Sequence, residues 1–260
     1  MSAINLKLFL AILPVFGILT YIYKKDREKE PIKLLLNFFV LGMSLCFVVL
    51  VISYILEQIL PFMSENIETS LDMLLYIFIG VASVEELCKW VIVYFKGYNN
   101  SEFDESYDII IYSVFTSLGF AFLENIIYII GINSIETAFL RAIFAIPGHT
   151  CNAIFMGYYL SKAKDYQNMK DYKNEHKNIM LSMIVAILLH GIYDYCIMSE
   201  NKVLLIFFIF FIITMYIISF NKINTMSKNI KKIKYKNNYC PNCGTKVVGY
   251  FCGNCGQKQE

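Results

Sequence analysis

Ionisable side chains interrupt four of the apolar stretches of this 260-residue chain, and their spacing fits helices. In the first of these stretches Glu85 and Glu86 precede Lys89 by four and three residues, so both carboxylates reach the ammonium from an adjacent helical turn. A charge inside a bilayer costs at least a few kcal/mol, and such residues are functional candidates by default. The next three stretches carry the other candidates: Glu124, His149 with Asn152, and His190 with Asp194.

This set of side chains indicates chemistry on water. Three glutamates and two histidines, with neither HExxH nor GxSxG in the sequence, fit activation of water better than covalent catalysis. A glutamate can take the proton of the water, and a histidine or an asparagine can hold the oxyanion that forms. The same residues can instead bind a divalent metal that activates the water. The residues alone also leave open a non-enzymatic transporter or receptor that uses a polar cavity for cations or protons.

The rest of the chain indicates a membrane as the surrounding medium. It is 57% hydrophobic and 17% charged, with a mean hydropathy of +0.52, whereas soluble domains have roughly 45–50% apolar and about 25% charged residues. A soluble enzyme, a disordered tail and a secreted disulfide scaffold are therefore excluded. Seven apolar segments are long enough to cross a bilayer: Leu6–Tyr23, Leu34–Leu56, Met73–Phe95, Asp108–Ile130, Ala138–Leu160, Ile179–Met198 and Val203–Phe220.

Basic residues predict the orientation of these segments. The first and fifth loops hold five lysines or arginines each, the third has Lys96, and the stretch from Lys222 to Lys236 has six lysines. The second and fourth loops have none, and the sixth has only Lys202. The positive-inside rule then predicts an all-α polytopic protein with seven transmembrane helices, an external N-terminus and a cytoplasmic C-terminus. At about 1.5 Å per residue the four polar stripes lie about 6–20 Å below the outer surface, so they can share one cavity.

The tail has a different chemistry. Residues 239–257 contain two Cys-x-x-Cys pairs, each followed by glycine and separated by eight residues. This spacing is typical of a structural zinc site with four thiolates and no open position for water: Cys240, Cys243, Cys252 and Cys255. A disulfide pairing is disfavoured in the cytoplasm. We therefore predict three parts: a transmembrane domain over residues 1–222, a basic linker over 223–238, and a small β zinc ribbon over 239–257 with a cytoplasmic partner.

At its intramembrane residues the chain resembles the PrsW family of intramembrane proteases, which belongs with the CAAX-prenyl endopeptidases and the bacteriocin-immunity membrane proteins. The resemblance covers about Met73–Met198, and the zinc ribbon reads as an appended module. Four motifs carry it, in the family's order and on four successive helices: EExxK at Glu85, Glu86 and Lys89, FxxxE at Phe120 and Glu124, and two histidine motifs at His149 with Asn152 and His190 with Asp194.

The resemblance implies a partner and a location. Proteins of this type are thought to cut a single-span, membrane-anchored anti-sigma factor on its extracytoplasmic side, in the plasma membrane of bacteria. The lipid bilayer and such a substrate are then the expected partners.

The resemblance also implies roles for the intramembrane residues. Glu85 or Glu86 is the expected general base, and Lys89 holds the glutamate pair. The remaining roles are shared among the other helices: Glu124 and His190 place the water, Asp194 orients His190, and His149 with Asn152 stabilises the oxyanion. A glutamate-based and a metal-dependent mechanism both stay open.

Overall fold

Seven long helical segments make up almost all of the part of the chain that the structure describes. The computed structural model describes residues 3–63, 69–132, 134–233, 240, 242–243, 245 and 254–257. We name the helical segments in chain order: α1 (Ala3–Lys25), α2 (Ile32–Ile59), α3 (residues 70–98), α4 (Asp108–Ile132), α5 (Ile135–Asn168), α6 (Tyr172–Met198) and α7 (Lys202–Lys228). A short 3₁₀ turn, Pro61–Met63, follows α2. Among the described residues there is no strand, and one isolated antiparallel bridge joins Glu105 to Lys232.

Five of these helices are long and apolar enough to cross a membrane, namely α2, α4, α5, α6 and α7. The prediction of an all-helical polytopic protein is therefore confirmed at this level. The seven-span count, the orientation and the β ribbon remain predictions.

Two of the helices contain wide turns. In α3 the α-helical stretches Ser70–Leu75 and Ser83–Ile92 alternate with π-helical turns at Tyr76–Ala82 and Val93–Tyr98. In α5 a π-turn, Arg141–Ala145, separates Ile135–Leu140 from Ile146–Asn168. Such turns are rare and frequent at functional sites. In this protein the turns at 76–82 and 141–145 immediately precede the stretches that carry the predicted catalytic glutamates and His149.

The central helix is α4, which packs against both α2 and α5 and is buried from Asp108 to Ala121. Glycines permit the close crossings. Added Cβ atoms at Gly42 and Gly119 would collide with the backbone carbonyls of Thr116 and Phe39, where α2 crosses α4. The two backbones lie so close there that a methyl group does not fit.

Short polar residues begin the later helices. Thr69 and Asp72 form a capping box at the start of α3, with Thr69 Oγ1 accepting the Asp72 N–H at 3.1 Å and Asp72 Oδ2 accepting the Thr69 N–H at 3.1 Å. Ser134, Asp171 and Asn201 accept backbone N–H groups at the starts of α5, α6 and α7. These caps satisfy N–H groups that a helix cannot satisfy itself, so they fix where the chain turns.

Lysine and arginine side chains are concentrated at one end of the bundle, which we call the basic end: it consists of the loops 26–31, 99–107 and 169–171, the segment 229–233 and the helix ends that adjoin them. Lys25 Nζ donates to Asn224 Oδ1 at 2.8 Å, and Arg27 donates to the Lys228 carbonyl oxygen at 2.9 Å, so the ends of α1 and α7 are joined there. Lys164 Nζ donates to the Tyr98 carbonyl oxygen at 3.2 Å and joins α5 to α3. The helix ends that adjoin the lysine-poor connections, namely the C-terminal ends of α2, α4 and α6, lie at the opposite end.

Candidate active site

Glu85, Glu86 and Lys89 form a buried cluster on the Ser83–Ile92 stretch of α3. Lys89 Nζ lies 3.1 Å from Glu85 Oε2 and 3.0 Å from Glu86 Oε1. Glu86 is fully buried, Lys89 is 1% exposed and Glu85 is 7% exposed. One ammonium thus holds two carboxylates in place, and Glu85 is the glutamate with access to the space beyond.

His190 on α6 is placed between two carboxylates. Its Nδ1 lies 2.8 Å from Glu86 Oε1, and its Nε2 lies 3.2 Å from Asp194 Oδ2 on the same helix. A carboxylate only accepts hydrogen bonds, so both ring nitrogens are best satisfied as donors. The geometry therefore favours the doubly protonated imidazolium at His190.

His149 on α5 connects the α3 cluster to α4. Its Nδ1 lies 3.2 Å from Lys89 Nζ, and its Nε2 lies 3.1 Å from Glu124 Oε2. An ammonium has no lone pair, so Nδ1 accepts from Lys89 and the ring hydrogen sits on Nε2, facing Glu124. The rings of His149 and His190 meet edge to face at 5.4 Å, which brings the two histidines together.

Phe120 lies under this cluster. Lys89 Nζ is 4.1 Å from the centre of its ring, and the His149 ring contacts it edge to face at 5.8 Å. The ring face attracts the ammonium, which is more strongly held where water is excluded. Phe120, four positions before Glu124 on α4, thus stabilises the Lys89 ammonium of α3.

Arg141 was not among the sequence candidates, although it is in direct contact with them. Its Nη2 donates to Glu124 Oε2 at 2.6 Å, its Nε donates to Asn125 Oδ1, and its guanidinium lies 3.9 Å from the centre of the Tyr128 ring. A sequence signal existed, since the chain has only two arginines and this one lies inside an apolar segment. Glu124 therefore has two cationic or donor partners, Arg141 and His149, which fix its position.

Asn152 lies one turn after His149 and is buried. Its side-chain Oδ1 has no hydrogen-bond partner within the part of the chain that the structure describes. A buried amide without a partner costs free energy unless a ligand or water satisfies it. The side chain is therefore available to a bound molecule.

These groups surround one cavity of about 760 Å³, within the usual range of ligand sites. Polar lining comes from seven residues on four helices: Glu85, Glu124, Arg141, His149, Asn152, His190 and Asp194. Glu86 and Lys89 lie behind this wall. Apolar residues of α7, among them Phe208 and Ile209, form the opposite side. A peptide segment with apolar side chains fits such a cavity, because its side chains can contact the apolar wall while one of its peptide bonds faces the polar residues.

The family model described as "PrsW family intramembrane metalloprotease" matches residues 30–220. The chain belongs to the PrsW family.

Several curated relatives carry the name "Protease PrsW", and three of them span most of the chain. The one from Oceanobacillus iheyensis is 38% identical over 218 residues, 84% of this chain and 94% of the relative. The one from Clostridioides difficile is 34% identical over 239 residues, 90% and 97% of the two chains, and the one from Bacillus subtilis is 38% identical over 185 residues, 71% and 79%. No solved structure was found to match the chain. The protein is thus a multi-pass bacterial membrane protease of the PrsW family, and an ion transporter is disfavoured.

The metal implied by the PrsW family description can be tested against the side chains. Glu85, Glu86, His149 and His190 each offer a ligand atom, and these four atoms lie within 4.8 Å of one another. Glu86 Oε2 is buried without a hydrogen-bond partner among the described residues. Carboxylate and imidazole ligands suit Zn²⁺ and similar divalent ions, so the residue types fit a metal. His190 offers a lone pair to such an ion only as the neutral imidazole, so a bound metal and the His190 imidazolium are alternative states of the site.

The cysteine tail of this PrsW protein is described only in part. Cys240, Cys243 and Cys255 offer sulfur atoms within 4.8 Å of one another, and Cys252 lies outside the described residues. Cys240 Sγ and Cys255 Sγ are 3.5 Å apart, and the Cys240 N–H donates to the Thr245 carbonyl oxygen at 2.8 Å. Three of the four predicted ligands therefore converge.

Proposed function

We propose that this protease cleaves a single-span, membrane-anchored regulatory protein of the anti-sigma-factor type, close to the extracytoplasmic face. The observation that supports the proposal best is the buried cavity in which Glu85 meets two histidines, Asn152 and an apolar wall. A transmembrane segment that enters this cavity exchanges lipid contacts for α7 contacts, and its backbone reaches the polar side. The membrane excludes most other substrates from that position.

The proposed reaction is hydrolysis with Glu85 as general base. Glu85 takes a proton from a water molecule, whose oxygen attacks the carbonyl carbon of the scissile bond, and the protonated Glu85 then returns the proton to the leaving nitrogen. Lys89 and the fully buried Glu86 hold Glu85 and His190 in place. The positive charge of the His190 imidazolium stabilises the oxyanion, and Asn152 Oδ1 accepts a backbone N–H of the substrate. In the alternative metal-dependent mechanism His190 is the neutral imidazole, and a divalent metal held by Glu85, Glu86, His149 and His190 would supply Lewis-acid activation of the water.

The proposed cut lies near the end opposite the basic end. Glu124 is eight residues before Ile132, the last residue of α4, and His190 is eight residues before Met198, the last residue of α6. Eight residues correspond to about 12 Å along a helix. With the lysine-rich end in the cytoplasm, as the positive-inside rule requires, the cavity lies in the outer half of the membrane.

For the tail we propose a zinc ribbon on the cytoplasmic side. Three converging thiols and the spacing of the fourth support a closed four-thiolate site. Such a module without an open coordination position binds a partner rather than substrate water. It leaves the chemistry of the membrane domain unchanged.

The test is cleavage in liposomes. The full chain is reconstituted with a single-span anti-sigma-type protein tagged at both ends, and fragments are followed by blotting and N-terminal sequencing. Replacing the base by its amide, Glu85→Gln, is expected to lower the cleavage rate about 10²–10⁴-fold. Glu86→Gln is expected to lower it as well, because His190 loses a carboxylate partner.

The matched control is Glu136→Gln, an exposed acid in the first turn of α5. It is expected to cleave like the parent. Parent-like cleavage by Glu85→Gln would contradict the assignment of the base. A cut at the basic end would contradict the proposed side of the membrane.

A further inference from the structure

A second group of buried acids lies at the basic end, away from the active site. We call it the acidic cluster: Asp26 in the loop after α1, Glu105 in the loop before α4, and Asp108, the first residue of α4. One carboxylate oxygen of each lies within 4.8 Å of one from each of the others. The three residues are 4%, 3% and 0% exposed. The proposed protease reaction uses none of them.

Each carboxylate of the acidic cluster has one oxygen held by the protein. Asp108 Oδ2 accepts the N–H groups of Asp104 at 3.1 Å and Glu105 at 2.7 Å. Asp26 Oδ2 accepts the N–H of Glu30 at 3.3 Å, and Glu105 Oε1 lies 3.6 Å from Lys232 Nζ. The three side chains are therefore anchored in fixed positions.

The other oxygen of each carboxylate is unsatisfied. Asp26 Oδ1, Glu105 Oε2 and Asp108 Oδ1 are buried and have no hydrogen-bond partner among the described residues. A buried polar atom without a partner costs about 1–3 kcal/mol, and more when it is charged. Three such oxygens in one cluster, one from each acid, are the atoms that a ligand could use.

The nearby cations neutralise the acidic cluster only in part. Lys29 Nζ donates to the backbone carbonyl oxygens of Tyr23 and Asp26. Lys232 is half exposed and is shared between Glu105 and Glu28. A fourth buried acid, Glu30, lies beside the cluster.

The region holds four buried acids, Asp26, Glu30, Glu105 and Asp108, while Lys232 divides its charge between Glu105 and Glu28. Carboxylates are therefore in excess over the cations that contact them, and either protons or a metal ion must balance the excess.

We propose that Asp26, Glu105 and Asp108 bind a hard divalent cation, Mg²⁺ or Ca²⁺, at the basic end of the helical domain. Carboxylate oxygens without nitrogen or sulfur ligands are the donor set that these ions prefer. Mg²⁺ keeps several of its waters, and Ca²⁺ accepts six to eight oxygens, so three carboxylates leave positions for water or backbone oxygens.

The loop that holds Glu105 is hydrogen-bonded to the segment that leads into the cysteine tail. The Ser106 N–H donates to the Lys231 carbonyl oxygen at 2.9 Å, and the Lys231 N–H donates to Ser106 Oγ at 3.0 Å. An ion between Glu105 and Asp108 stiffens this loop and the contact with residues 231–233. Ion binding therefore stabilises the helical domain and the first residues of the tail together.

The test is Mn²⁺ binding to the full chain in detergent after removal of metals, followed by electron paramagnetic resonance. The parent is expected to bind one ion more than Glu105→Gln or Asp26→Asn, or to bind that ion at least about tenfold more tightly. The active-site residues are present in every variant, so Mn²⁺ held there cancels in the difference. Glu102→Gln, an exposed acid of the same loop, is the control and is expected to bind like the parent. Displacement by Mg²⁺ or Ca²⁺ identifies the preferred ion.

Thermal unfolding gives an independent measurement. In EDTA, Asp108→Asn is expected to be more stable than the parent, because it removes one acid from a crowded group of buried carboxylates and keeps an oxygen for the two backbone N–H groups. In Mg²⁺ or Ca²⁺ the parent is expected to gain stability and the variant to gain little. Equal Mn²⁺ binding by parent and variants overturns the proposal. A parent that is stabilised by acid and not by divalent ions also overturns it, since the acids then share protons.

Discussion

His149 is the residue at which the candidate site becomes a single network. It accepts from Lys89 of α3 through Nδ1 and faces Glu124 of α4 through Nε2. Helical spacing within one segment predicted the pairs of Lys89 with Glu85 and Glu86, because residues three and four apart meet on one helix. The contacts of His149 join different helices, and no spacing within the sequence encodes them.

Arg141 tests the positioning of Glu124. We expect Arg141→Ala to slow cleavage at least tenfold, because Glu124 loses its salt bridge in a partly buried site and keeps only His149 as a partner. Arg141→Lys keeps the charge and loses the fork that reaches Asn125, so an intermediate rate is expected. Cleavage rates over a range of pH, with thermal unfolding alongside, distinguish positioning from stability. Equal rates for the lysine and alanine variants would show that the charge of Arg141 has no role.

Glu30 predicts a dependence of stability on pH. Burial raises its pKa from 4.5 to about 7, beside Asp26, Asp104 and Glu102, while Tyr112 donates to its Oε2 at 2.7 Å. Between pH 4.5 and about 7 the folded protein keeps a proton that the unfolded chain releases. Stability therefore falls as the pH rises through this window. In Glu30→Gln, measured by thermal unfolding in EDTA, this slope is expected to flatten, and an unchanged slope would contradict the assignment.

At the scale of elements, apolar segments predicted the number and order of the helices but not their ends. Ala138–Leu160 was predicted where α5 spans Ile135–Asn168, and Ile179–Met198 where α6 spans Tyr172–Met198. The helices continue into the polar basic end, where hydropathy gives no signal. The polar cap at Asp171 decides the boundary instead. The wide turns at 76–82 and 141–145 had no signal in the apolar pattern.

The crossing of α2 and α4 predicts an effect of glycine replacement. Gly119→Ala places a methyl group against the carbonyl of Phe39, and such overpacking costs about 1–3 kcal/mol. Gly131→Ala on the same helix meets no atom within 4 Å, so alanine's better helix propensity leaves stability equal or higher. Thermal unfolding in detergent compares the two. Equal losses in both variants would show that the crossing tolerates a methyl group.

At the scale of the molecule, the alternation of basic and lysine-poor regions along the sequence predicted which helix ends lie on the same side. The structure brings the basic regions together at one end of the bundle. The acidic cluster at that end had no signal in the sequence. Its members come from two loops and a helix start, 82 residues separate Asp26 from Asp108, and acids in loops ordinarily face water.

The tail predicts one bound zinc ion per chain in addition to any metal in the membrane domain. Cys240→Ser removes one of four thiolates, so we expect the loss of about one equivalent of zinc by elemental analysis. Cys46→Ser is the control, since its side chain donates to the Phe120 carbonyl inside the bundle. Removal of residues 236–260 is expected to leave cleavage unchanged and to abolish zinc binding by the tail. Retention of the full amount of zinc by Cys240→Ser would contradict the assignment of the tail as a zinc ribbon.

The contacts between α1 and α7 have a consequence for biosynthesis. Lys25 and Asn224 are 199 residues apart in the chain, and Arg27 and Lys228 are 201 apart. At about 5–20 residues per second, a ribosome needs about 10–40 s to make the intervening chain. The first helix therefore waits in the membrane, without its last neighbour, for most of the time of synthesis. The catalytic side chains have all been made by residue 194, whereas the closure of the basic end is the final event.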